Sequence, residues 1–129
     1  MTEKVYKILL GKKLIGTTKL EFGDPPMGVV FGKINFAESD MGYDFVKQYC
    51  IDNSIEIQTD YSIDKLISTG RIEELKIYNS ENIEITGLGN NIDGMDSEGY
   101  TVTILGLDSE IYKREFPEHI SEYERKFNK

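Results

Sequence analysis

The chain has 129 residues, 39% of them hydrophobic and 29% charged, with one Cys, one His and a formal net charge of -8. That length and apolar content predict one domain with one sizeable core, and they exclude a collagen-like, low-complexity or largely disordered chain. One Cys and one His exclude a disulfide framework and a Cys/His zinc cage within a single chain.

The charge is unevenly distributed. Residues 1–23 carry five Lys and two Glu, residues 24–107 carry fifteen acids and five bases, and residues 108–129 carry six acids and five bases. The acidic centre opposes binding to a phosphate backbone or an anionic membrane surface. It suits either a solvated face or a surface that steers a basic partner. The longest early apolar run, Ile8-Leu9-Leu10, is too short for a signal peptide, and no later stretch approaches a membrane span. A cytoplasmic protein is expected, in keeping with a lone Cys50.

In chain order, Val5–Leu10 and Leu14–Phe22 read as a hairpin turning at Gly11-Lys12, with lysines at 4, 7, 12, 13 and 19 guarding its edge. Gly23-Asp24-Pro25-Pro26 stops the strand. Met27–Phe36 resumes it, with Gly28 and Gly32 suiting a bend or a close approach by another element. A helix is predicted over 41–52, capped by Ser39 or Asp40, with Met41, Phe45, Tyr49 and Cys50 on its apolar side. Residues 54–63 alternate, placing Ile55, Ile57, Thr59, Tyr61 and Ile63 on one face and Glu56, Gln58, Asp60 and Ser62 on the other. Asp64–Thr69 reads as a helical turn or irregular chain.

Two further strands are expected at Leu75–Tyr78 and Asn82–Thr86, then a polar, glycine-rich loop over 87–99, then a strand over Tyr100–Leu105. A short helix over Ser109–Arg114 precedes a terminal one, in which Phe116, Ile120, Tyr123 and Phe127 form a stripe. The expected fold class is α+β: a mostly antiparallel, curled β-sheet with one central helix and a C-terminal helix, in one domain over 1–129.

Few groups carry obvious chemistry. Gly87-Leu-Gly-Asn-Asn-Ile lacks the third glycine of a dinucleotide loop and does not open a periodic helix. Asp93, Asp96 and Glu98, beside Asn90 and Asn91, are oxygen-rich in the manner of a hard-cation loop. Their spacing is not that of an EF-hand, and a solvated hairpin loop is the plainer reading. His119, the one imidazole, flanks the terminal stripe, and Cys50 has no basic neighbour in sequence, so neither reads as a catalytic group. No catalytic residue, metal or cofactor is expected. Paired carboxylates among the 23 acids, with eight Tyr and no Trp, leave a small-ligand-binding or hydrolytic sheet cleft as the alternative function.

The most distinctive local stretch is Phe22-Gly-Asp-Pro-Pro-Met-Gly-Val-Val-Phe-Gly32. It reads as a rigid turn feeding a central strand, or as a preformed loop presenting Asp24 and Met27 to a partner. With Leu14-Ile-Gly-Thr-Thr-Lys-Leu-Glu21 before it and Tyr123-Glu-Arg-Lys-Phe127 at the end, it resembles a family of small uncharacterised bacterial proteins. These share an IG-(S/T)-x-LE…DPPMGV start and a YE-R-x-F end. The resemblance implies no catalytic residues. Acidic bacterial proteins of this size include many immunity proteins that neutralise secreted toxins, an analogy of size and charge. The leading expectation is a non-enzymatic protein-binding domain, in its sharpest form an inhibitor of a basic toxin. The candidate partner contacts are Asp24, Met27, Asp60 and Tyr61.

Overall fold

The computed structural model describes residues 4–127. β1 (Tyr6–Leu10) and β2 (Lys13–Thr18) form the expected hairpin over Gly11-Lys12. β8 (Leu75–Tyr78) joins the free side of β1 and β5 (Asn35–Phe36) joins β2, completing a four-stranded antiparallel sheet. A six-stranded antiparallel sheet has the order β3-β4-β10-β9-β7-β6. Its strands are β3 (Phe22–Asp24), β4 (Val29–Lys33), β6 (Ile57–Tyr61), β7 (Leu66–Thr69), β9 (Gly89–Met95) and β10 (Gly99–Leu105). Helices α1 (Tyr43–Asp52), α2 (Ser109–Glu115) and α3 (Pro117–Phe127) complete the fold. The α+β, largely antiparallel architecture expected from the sequence is what forms, and its strands divide between two open sheets.

Alternation along the strands builds one core between the sheets. Ile8, Ile15, Leu75 and Ile77 from the smaller sheet meet Val30, Ile67, Ile92, Val102 and Ile104 from the larger, and all are fully buried. Val46 and Cys50 of α1 close one side, and Tyr112 and Phe116 of the C-terminal helices close another. The chain changes sheets between β2 and β3 at Leu20, whose φ of 44° turns the backbone while its side chain stays in the core. It changes again at Ile34, between β4 and β5. Among the described residues no helix is long and apolar enough to cross a membrane.

Several local expectations are corrected. The polar stretch over 87–99 is mostly strand: β9 lies inside the larger sheet, between β7 and β10. Its buried Asn90 donates from Nδ2 to the Leu75 carbonyl at 2.6 Å, joining the two sheets, so an amide occupies an inward position where a branched aliphatic was to be expected. Asp64–Thr69 is likewise not helical; β7 occupies its last four residues. Asn82–Thr86 makes only one bridge, Tyr78 to Glu84. Along 54–63 a bulge between Ile57 and Thr59 flips the alternation. Ile57 opposes buried Thr69, whereas Thr59 and Tyr61 oppose Ser68 and Leu66 on the outer face.

The predicted central helix is present but differently capped and rotated. Its N-cap is Gly42, with no side-chain cap of its own, and Tyr43, Val46 and Cys50 form the buried stripe. Ser39 and Asp40 are not its caps. The Asp96 carboxylate, from the β9–β10 turn, accepts the Tyr43 N–H at 3.0 Å instead.

Candidate functional site

The inner face of the six-stranded sheet is filled by the core, and α3 packs against its β3 edge. The mismatch between stripe and core explains the cleft that opens there. The apolar stripe that starts at Phe116, just before α3, is longer than the core it meets: Phe116 is buried and Ile120 partly so, but Tyr123 and Phe127 stay exposed. Opposite them, Phe22 of β3 and Phe31 of β4 are register partners on the outer face. Their rings stack with centroids 5.2 Å apart. Tyr123 and Phe127, one helical turn apart, hold their ring centroids 4.6 Å apart. Between these two aromatic pairs lies a hollow of about 510 Å³, edged by Glu21, Asp24 and Glu122 and floored by His119.

The walls are held firmly. His119 is buried, its Nε2 donates to the Leu20 carbonyl at 2.8 Å, and its ring stacks on Phe116. The Tyr112 hydroxyl donates to the Val29 carbonyl at 3.0 Å, tying α2 across the start of β4. Burial first, and the nearby carboxylates of Asp24 and Glu118 after it, push the Tyr112 hydroxyl up to about 12. It therefore stays protonated and able to donate across the neutral range. Gly23 permits this docking: a Cβ there would lie 2.5 Å from the Tyr112 hydroxyl oxygen and 3.0 Å from the His119 ring.

Asp24 is exposed at the rim of this cleft, and Met27 follows in the 3-10 turn Pro25–Met27, 68% exposed but outside the lining. Asp60 and Tyr61 lie on β6, the opposite edge strand. Five strand spacings of about 4.8 Å each separate the two edges, roughly 24 Å, so the four residues do not form one patch. The Asp60 carboxylate is also engaged, since it accepts from the Tyr43 hydroxyl and pairs with Lys47 at 2.9 Å. Tyr61 projects freely, 61% exposed. Tyr123 and Phe127 stand in the helical stripe that the sequence predicts, whereas the role of Glu122 and the pairing of Phe22 with Phe31 as a facing wall are not evident from the sequence. Only the helical wall carries a sequence signal, an apolar stripe that continues past the last core contact.

The three acids of 93–98 are dispersed. Asp93 faces outward on β9, Asp96 caps α1 and also accepts from the Tyr100 hydroxyl at 2.8 Å, and Glu98 offers its carbonyl to the Lys33 ammonium at 3.1 Å. Among the described residues no group of three His, Cys, Asp or Glu side chains could hold a metal ion. Cys50 is buried, and burial raises its thiol above the usual range, which keeps it protonated and unreactive. Comparison of the chain with protein-family models, curated proteins and solved structures finds no match.

Proposed function

We propose that the chain is a non-enzymatic protein-binding module that takes a basic segment of a partner into the cleft between α3 and the β3–β4 edge. Its sharpest form is a cytoplasmic immunity-type inhibitor of a basic toxin. The observation that carries this reading is the lining of the hollow: four aromatic rings with Glu21, Asp24 and Glu122 around them. Ring faces attract a cation and the carboxylates pair with it, so an arginine or lysine side chain meets both preferences. Lys126 already lies 5.8 Å from the centroid of the Phe127 ring, and a partner's cation would compete for the same face. The walls are anchored by His119 and Tyr112, so little ordering cost falls on binding. The net charge of -8 would steer a basic partner towards the chain and make association salt-sensitive.

The test is affinity capture from a bacterial lysate on two columns, one bearing the wild-type chain and one the double variant Asp24→Lys/Glu122→Lys. The reading predicts a stoichiometric basic protein on the first column, released by salt, and its loss from the second. Equal retention on both columns would contradict it.

A further inference from the structure

Away from the aromatic cleft, the outer face of the six-stranded sheet carries a row of polar side chains set by register. Lys33 of β4 opposes Thr101 of β10, Thr101 opposes Asp93 of β9, Asp93 opposes Ser68 of β7, and Ser68 opposes Thr59 of β6. Adjacent members sit on neighbouring strands about 4.8 Å apart, so the row crosses five strands at one level. Above it is a second hollow, of about 350 Å³, lined by these five residues together with Leu66, Met95 and Glu98.

Asp93 is at the centre of the row and is only partly exposed. Its neighbours across the strands offer hydroxyls but no charge, and among the described residues neither a hydrogen bond nor an ion pair reaches its carboxylate. Lys33, the one cation lining the hollow, directs its ammonium to the Glu98 carbonyl at 3.1 Å. The Asp93 carboxylate thus lies half-buried in the hollow with no donor from the chain among the described residues, while the Asn90 and Asn91 amide oxygens of the same strand, also without donors, line a separate hollow. A half-buried carboxylate with no partner from the chain is only partly hydrated, and a ligand that supplies charged N–H donors adds the missing contacts.

We infer that the hollow over Asp93 is a binding site for a compact organic cation, an alkylguanidinium or alkylammonium group. The Asp93 carboxylate is its counter-ion, and the Ser68, Thr101 and Thr59 hydroxyls are neighbouring hydrogen-bond partners. This is a different site from the aromatic cleft. It has no aromatic walls, and its selectivity comes from one carboxylate in a polar frame. Burial, with no compensating partner, raises the Asp93 carboxyl above its ordinary range, in agreement with an unmatched group.

The test is a titration of the ¹⁵N-labelled full chain with agmatine, and separately with the tripeptide Gly-Arg-Gly, followed by amide chemical shifts. The inference predicts saturable shifts at Ser68, Asp93 and Thr101, with a Kd of about 1–10 mM. In Asp93→Asn they weaken at least tenfold, while Asp24→Asn leaves them unchanged. A response to agmatine alone identifies a free amine as the source; a response to both identifies the side-chain group wherever it is carried. Absence of shifts along the row, or shifts that persist undiminished in Asp93→Asn, would overturn the inference. Shifts confined to Phe22, Phe31 and Tyr123 would also overturn it while leaving the cleft reading standing. An unchanged amide spectrum elsewhere in Asp93→Asn separates lost binding from lost fold.

Discussion

The Asp96 carboxylate accepts the Tyr43 N–H at 3.0 Å, so a residue of the β9–β10 turn caps a helix that begins more than fifty positions earlier in the chain. The same oxygen accepts from the Tyr100 hydroxyl at 2.8 Å, and the Asp96 N–H donates to the Lys65 carbonyl at 3.1 Å. Three separate segments therefore meet at this one residue, two at its carboxylate and the third at its backbone N–H. The free N–H groups of a helix start need an acceptor, and Gly42 supplies none from its own side chain.

Replacing Asp96 by Ala should cost about 1–2 kcal/mol, the usual worth of an N-cap, as seen in urea denaturation. Asp96→Asn, which keeps an amide oxygen at the site, should cost less. Glu98→Ala, two residues away and engaged through its backbone N–H and carbonyl, should be near neutral. Equal losses in all three variants would contradict the capping role.

Gly32→Ala should destabilise the chain by about 1–3 kcal/mol through overpacking. A Cβ at that position would collide with the Thr18 and Glu21 side chains and lie 2.7 Å from the Leu20 backbone nitrogen. The side chains can turn aside but the backbone at the sheet crossover cannot. A thermal melt unchanged from wild type would contradict this packing.

Two carboxylates should respond to pH in opposite senses. The Tyr43 hydroxyl first, and Lys47 after it, hold Asp60 below its ordinary value of 3.8. Its stabilising contribution is therefore complete above that value and is lost as pH falls through the lowered range. Burial raises Asp93, so the folded state holds its proton longer than the unfolded state, and stability falls as pH rises through the raised range. Lys33 and Glu98, the charged groups lining the same hollow, do not reverse that direction. Asp93→Asn should raise the Tm at neutral pH, with the gain shrinking on acidification; Asp60→Asn should lower it at neutral pH and converge with wild type in acid. Melts of both variants across pH check the signs, and a gain for Asp60→Asn would contradict them.

Much of the architecture was legible because strong apolar periodicity marks it. The β1–β2 hairpin, α1, β10 and the terminal helix all follow patterns of Ile, Leu, Val and aromatic residues at strand or helix spacing. What was not legible is strand built from polar residues. Asn90, Asn91, Asp93 and three glycines in or beside β9 look like loop in sequence, and only pairing with β7 and β10 on both sides makes them sheet. The bulge after Ile57 is a second instance, since one extra residue reverses an alternation that sequence presents as unbroken. The cleft was half visible: Asp24 was singled out at its rim, and the stripe of Phe116, Ile120, Tyr123 and Phe127 was recognised, but its outer half builds a wall instead of filling the core.

The most direct test of the aromatic cleft as the binding surface is an NMR titration of the full chain with an arginine- and lysine-rich peptide, at low and at high salt. The account predicts saturable shifts gathered on residues 21–24, Phe31 and 119–127, weakened by salt and abolished by Asp24→Lys/Glu122→Lys. Shifts scattered over the acidic surface in proportion to local charge, with the cleft no more affected than the rest, would contradict it.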